Sequence, residues 1–219
     1  MDFRIFDVIA NVSSFSVLLP LLFFVLAIRK KDAPYPIRVL GAFLFISGLS
    51  DLVSTILIEF RVNPNLVITV YVILQFVLLS LIYRNAFTQT FYKKITVVGI
   101  AMFLTFAACN LFVIQGINGF NSNAFTISSV IFIAYSVAFF YRLLVELPAP
   151  QVQQLFMFWF NSAIFIYFGF NLFIFISVDR LIESENDQIL YSWAFHNCIN
   201  VVRNLMFATG LYIATITRR

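Results

Sequence analysis

The stretch FHNCINVVRNLMFATGLY, residues 195–212, places the one histidine of the chain, an arginine and three asparagines inside an otherwise apolar run. His196, Asn200, Arg203 and Asn204 are spaced i, i+4, i+7, i+8, which on a helix is a single stripe, with Asn197 beside it. Such a stripe suits contact with a polar ligand, and His196 adds a group that can respond to pH. The same residues can equally serve as interhelical packing contacts, with asparagines and an ion pair fixing which helices adjoin. A second stripe, Ser47, Ser50, Asp51 and Ser54, has the spacing i, i+3, i+4, i+7. Tyr71, Gln75 and Tyr83 follow in one later run and Asn161, Tyr167 and Asn171 in another, while Asn11, Ser13, Ser14 and Ser16 lie near the start and Asn110 stands alone. The candidate ligand-binding set is Asp51, Tyr71, Gln75, Asn171, His196, Asn200 and Arg203. For Asn161, Asn110 and the serines, interhelical hydrogen bonding is the preferred reading.

The elements that hold these residues are membrane helices. The 219 residues are 62% hydrophobic, 11% charged and 18% aromatic, with 29 phenylalanines. Soluble domains carry about 25% charged residues, and no single soluble core hides so much apolar surface. The sequence therefore reads as an integral membrane protein. The net charge of +4 comes from basic residues near the ends of apolar runs, so it signals topology rather than nucleic acid. Cys109 and Cys198 lie within apolar runs and build no disulfide framework. MDFRIFD lacks the basic start of a signal peptide, and the first run is expected to be a retained helix.

Seven runs are long enough to span a bilayer: 6–29, 37–59, 66–86, 92–115, 123–146, 153–178 and 189–216. They are separated by RKKDAPYP, RVNPN, RNAFTQTFYKK, QGINGFNSN, LPAPQ and SVDRLIESENDQ, each rich in breakers or charge. The expected fold is an all-α integral membrane bundle of seven transmembrane helices, one domain over 1–219 with no soluble domain. Arg29, Lys30, Lys31 and Arg38 in the first connection, Arg84, Lys93 and Lys94 in the third, and Arg218 and Arg219 at the end put those regions in the cytoplasm. The N-terminus and the acidic sixth connection, with Asp179, Glu183, Glu185 and Asp187, then face outward. DAPYP after the first span and LPAPQ after the fifth, followed by Tyr71/Gln75 in the third and His196/Asn200 in the seventh, suggest a 3+1+3 parallel repeat.

Depth sorts the polar residues. At about 1.5 Å per residue, Asp51 lies about 12 Å below the outer end of the second span, His196 about 10 Å and Arg203 about 20 Å below that of the seventh. Arg203 leans toward its helix N-terminus, and Asp51 is expected to neutralise it. Most of the polar set falls in the outer half, the pattern of a pocket that opens outward.

Several classes are excluded or weakened. No lysine lies within a span to form a retinal Schiff base, and one histidine cannot supply bis-histidine haem ligation or a multi-histidine zinc hydrolase site. There is no P-loop and no G-x-S-x-G elbow. The third and seventh spans end in IYRNAF and NLMFATGLY rather than the motifs of rhodopsin-like receptors. No cofactor, metal or nucleic-acid partner is expected.

GLSDLVSTIL, YVILQFVLLSLIYRN, FWFNSAIFIYFGFNLFIF and FHNCINVVRNLMFATGLY together resemble a group of small bacterial seven-helix membrane proteins similar to the membrane input modules of sensor histidine kinases. The resemblance implies polar site positions at Asp51, Gln75, Asn161, Asn171, His196 and Asn200. Gln75 departs from it, since a glutamate is expected there. It also implies the bacterial inner (cytoplasmic) membrane and, with no kinase domain in this chain, signalling through a cytoplasmic or membrane partner.

The leading expectation is a receptor-like sensory module that binds a small or lipid-like ligand. A small-solute transporter of 3+1+3 design ranks second and a structural subunit of a membrane complex third. An intramembrane enzyme using Asp51 and His196 as an acid–base pair ranks last.

Overall fold

In the computed structural model of the chain, residues 4–29, 33–146, 151–183 and 187–217 are described. They are all-α, with no strand among the described residues. Among the described residues, seven helical segments are long and apolar enough to cross a membrane, as the seven runs predicted. Lys30, Lys31, Asp32, residues 147–150 of the LPAPQ loop, Glu185, Arg218, Arg219 and the side chain of Glu183 lie outside the described part.

The first span is two pieces, α1 (Arg4–Ser16) and α2 (Leu18–Ile28), parted at Val17. Pro20 accounts for the break: it has no N–H to offer the Ser16 carbonyl four residues back, and its ring crowds that carbonyl. The second and third spans are α3 (Tyr35–Glu59) and α4 (Asn65–Ala86). The fourth is α5 (Thr90–Cys109) followed by a π-turn over Asn110–Ile114, closed by Gln115 N–H to Asn110 O at 2.9 Å. The last three are α6 (Ser122–Glu146), α7 (Phe156–Glu183) and α8 (Gln188–Ile216). The sixth span was expected to end at 178. It runs on to Glu183 because SVDRLIE contains neither proline nor glycine, and Arg180 in the last turn suits the helix C-terminus.

The chain forms two compact units, one of residues 1–33 with 129–219 and one of residues 34–128. These groupings differ from the halves of a 3+1+3 plan, since the first span belongs with the last three.

In the first unit α8 lies antiparallel to α7. Phe160 stacks on Phe207, Arg203 sits over Tyr167, and His196 meets Asn171, each step along one helix matched by a step back on the other. Gly210 permits the close approach: a Cβ there would come within 3.1 Å of Trp159 Cβ. The pairs Phe6–Tyr191, Ser13–Asn200, Ser16–Asn204 and Phe23–Tyr212 ascend together, so the first span runs parallel to α8. Alternate crossing demands that direction of a first and a seventh span.

In the second unit α4 pairs antiparallel with α3 through Tyr71, and with α5 through Phe76–Phe103 and Phe87–Tyr92. Both units expose large apolar side chains, including Phe15, Phe112 and Phe173 at 68%, 70% and 73%. Such faces are stable in hydrocarbon, and helices satisfy the backbone there internally.

Candidate functional site

The α8 stripe is the most connected polar feature of the first unit. The Asn171 Nδ2 amide donates to the Tyr167 carbonyl at 2.8 Å, which turns Asn171 Oδ1 toward His196 Nδ1, also at 2.8 Å. A carboxamide oxygen only accepts, so Nδ1 of His196 carries the proton and, in the neutral ring, Nε2 keeps its lone pair. Three rings surround the imidazole with centroids 5.6–5.9 Å away: Tyr167, Phe175 and Trp193.

One turn deeper, Asn200 Nδ2 donates to Ser13 Oγ at 2.9 Å. Its Oδ1 is buried and has no hydrogen-bond partner. Asn204, 1% exposed, donates to Ser16 Oγ at 2.7 Å, and Ser16 in turn donates to the Ser13 carbonyl at 2.6 Å. Arg203, 2% exposed, lays its guanidinium 4.3 Å from the centroid of the Tyr167 ring and 5.9 Å from that of Phe207. Arg203 Nη2 also donates to Asn204 Oδ1 at 3.4 Å. The stripe thus ties α8 to α7 on one side and to α1 on the other. Asn161 reaches across to the Ser136 carbonyl of α6 at 3.2 Å, the interhelical role expected of it.

The opening beside this stripe is a groove of about 450 Å³ lined by Val8, Asn11, Val12, Phe15, Ser16, Leu19 and Leu205. It follows the face of α1 across the Val17 break and meets α8 at Leu205. Its lining is apolar except for Asn11 and Ser16. Asn11 was among the outer-half polar residues read from the sequence. The apolar lining was not singled out, because an i, i+4, i+7 apolar face on a membrane helix looks the same whether it meets lipid or a bound molecule. Pro20 was the available signal, since the break it causes shapes the groove.

The other predicted residues belong to the second unit. Tyr71 OH lies 3.3 Å from Ser47 Oγ, and its ring stacks on Phe43 at 6.4 Å. Gln75 is 1% exposed, and its Oε1 has no hydrogen-bond partner. Asp51 is half-buried on α3, and its backbone carbonyl accepts from Thr55 Oγ1 at 2.8 Å. Asp51 and Arg203 fall in different units.

A correspondence joins the two sets. Tyr71 touches Phe43 and Ser47, four residues apart on the preceding helix. His196 touches Tyr167 and Asn171, four residues apart on its preceding helix.

The second unit also holds an amide cluster absent from the predicted set. Asn110 Nδ2 donates to Gln115 Oε1 and Asn121 Oδ1, both at 2.8 Å, and Asn110 Oδ1 accepts from Asn123 Nδ2 at 3.1 Å. Asn121 donates to Thr69 Oγ1 at 2.8 Å, and Gln115 to Ser122 Oγ at 2.6 Å. Asn63 and Asn65 both donate to the Asn118 carbonyl. The QGINGFNSN connection is thus a bonded plug rather than a loose loop. Among the described residues no group of three His, Cys, Asp or Glu side chains is placed to hold a metal ion. No family model matches the chain, and no curated protein or solved structure matches it either.

Proposed function

We propose that the protein is a receptor-like membrane module that binds an amphiphile in the α1–α8 groove and passes the event to a partner through the α8 stripe. One observation carries this reading: Ser16 is both a wall of the groove and the acceptor for the buried Asn204 amide. An occupant that touches Ser16 competes directly with the hydrogen bond holding the first span on α8. The volume falls in the range of small-molecule sites, about 300–1,000 Å³. Asn11 lies about 10 Å along the axis from Arg4, at ~1.5 Å per residue, and offers a hydrogen-bonding head contact. Phe15, Leu19 and Leu205 line the deeper part and suit an apolar tail. The resemblance drawn from the polar stretches supports a bacterial cytoplasmic membrane and a signalling partner.

A photoreactive single-chain fatty acid tests the site in the reconstituted protein. Labelling concentrated on residues 4–28, competed by the unlabelled acid and reduced by a groove-filling Leu19→Trp substitution, is the expected result. Label spread evenly over exposed faces such as those of Phe112 and Phe173 would overturn it.

A second reading, transport by a parallel repeat, is favoured by the matched Phe43/Ser47–Tyr71 and Tyr167/Asn171–His196 contacts. Single cysteines at Ser47, Ser50 and Ser54, in a background lacking Cys109 and Cys198, test it with an impermeant thiol reagent. Transport requires labelling from both sides of the membrane, whereas an outward-opening receptor allows it from one.

A further inference from the structure

The second unit carries a basic cleft at the end expected to face the cytoplasm. Tyr35 in the first turn of α3, Leu81, Arg84 and Asn85 at the end of α4, and Lys93 at the start of α5 line about 310 Å³. Antiparallel pairing of α3 with α4 and of α4 with α5 brings these three helix ends together. All four polar lining residues are exposed, and no hydrogen bond or ion pair engages their side chains among the described residues.

Charge in this unit is lopsided. Arg38, Arg84, Lys93 and Lys94 gather at this end, while the two acids of residues 34–128, Asp51 and Glu59, are on α3 beyond Arg38. At ~1.5 Å per residue they lie about 20 and 30 Å further along the helix. The unit therefore supplies no carboxylate to its own basic cleft.

The positive-inside rule explains cations on this side of a membrane, but it does not ask for a cleft between them. Nor does helix electrostatics explain Lys93. Arg84 suits the C-terminal turn of α4, whereas a lysine in the first turn of α5 opposes the positive end of that helix. An anion seated between Arg84 and Lys93 reverses that cost.

We propose that this cleft binds the phosphate of an anionic phospholipid headgroup. Arg84 presents a planar fork to two phosphate oxygens, and Lys93 adds a point charge. The Tyr35 hydroxyl and the Asn85 amide can donate to the remaining ester or headgroup oxygens. Leu81 supplies the apolar wall. With two cations and no acid, the lining repels the ammonium of a zwitterionic headgroup, so selectivity follows net lipid charge.

Native mass spectrometry of the full chain, titrated with phosphatidylglycerol, phosphatidylcholine or inorganic phosphate, tests the assignment. The wild-type protein should retain phosphatidylglycerol in preference to phosphatidylcholine. Arg84→Gln and Lys93→Gln should each weaken that binding roughly fivefold, and the double variant roughly 25-fold, from the worth of one basic residue at an anionic surface. Arg61→Gln removes the same charge at the opposite end of the unit and should leave binding unchanged, with all variants matched for thermal unfolding. Equal retention of the two lipids, or equal losses in Arg61→Gln and the double variant, would overturn the proposal. So would displacement of phosphatidylglycerol by equimolar inorganic phosphate, which would make the cleft a site for the free anion.

Discussion

Replacing Ser16 by alanine should loosen the first span from α8 by an amount the geometry bounds. The Asn204 amide is 1% exposed and donates to Ser16 Oγ at 2.7 Å, with the partners 188 residues apart in the chain. Removing the hydroxyl leaves a buried N–H without an acceptor, which costs about 1–3 kcal/mol. Interhelical side-chain bonds in membrane proteins are worth less when isolated by double-mutant cycles, about 0.6 kcal/mol on average and about 1.7 at most. The single substitutions Ser16→Ala and Asn204→Ala should therefore each destabilise by about 1–2 kcal/mol, with a coupling of about 0.6–1.7 kcal/mol between them. The assay is reversible unfolding by dodecyl sulfate in mixed micelles, followed by tryptophan emission. Both tryptophans, Trp159 and Trp193, lie in the first unit, so the signal reports on that unit. A coupling of zero, with additive single effects, would refute the claim that this bond holds α1 on α8.

Three further outcomes follow from other contacts. Arg203→Lys keeps the charge but loses the planar stack on Tyr167, so the same unfolding assay should register a loss of up to about 2 kcal/mol; Tyr167→Phe, which keeps the ring, should cost far less than Tyr167→Leu. Gln75→Leu removes a buried oxygen that has no partner, so circular-dichroism melts should show a gain of about 1 kcal/mol; a loss would mean that the oxygen is satisfied by a group in the working protein. Asn110→Leu strands Gln115, Asn121 and Asn123 together, and should lower stability by about 2–4 kcal/mol in the same melts.

The legibility of this chain follows the range of the forces involved. Span positions were readable because twenty apolar residues and their breakers are local properties, and the helices begin and end within a few residues of expectation except at Glu183. The periodicity of His196, Asn200 and Asn204 showed that they share a face, but not that Asn171, Ser13 and Ser16 would meet them. Nothing along α8 encodes a neighbour nearly 190 residues away. Arg203 shows the limit most plainly: its place on the stripe was legible, but the stacking of its guanidinium on the Tyr167 ring, 36 residues back on α7, was not. The amide cluster around Asn110 was invisible because it depends on the π-turn that swings Gln115 back to it. That turn replaces a regular helix end that sequence pattern cannot distinguish.

The most direct test of the receptor reading is cross-linking between the first span and α8 at both ends of the groove. Phe6→Cys with Tyr191→Cys, and Phe23→Cys with Tyr212→Cys, replace ring pairs whose centroids lie 5.5 and 5.7 Å apart. Both pairs would be built in a background lacking Cys109 and Cys198, and disulfide formation timed with and without the fatty acid. An occupant at Ser16 and Leu205 should swing α2 about the Val17 break, slowing the Phe23/Tyr212 pair relative to the Phe6/Tyr191 pair. Unchanged rates for both pairs, at a fatty-acid concentration that saturates photolabelling, would contradict the claim that the groove is read by the α8 stripe.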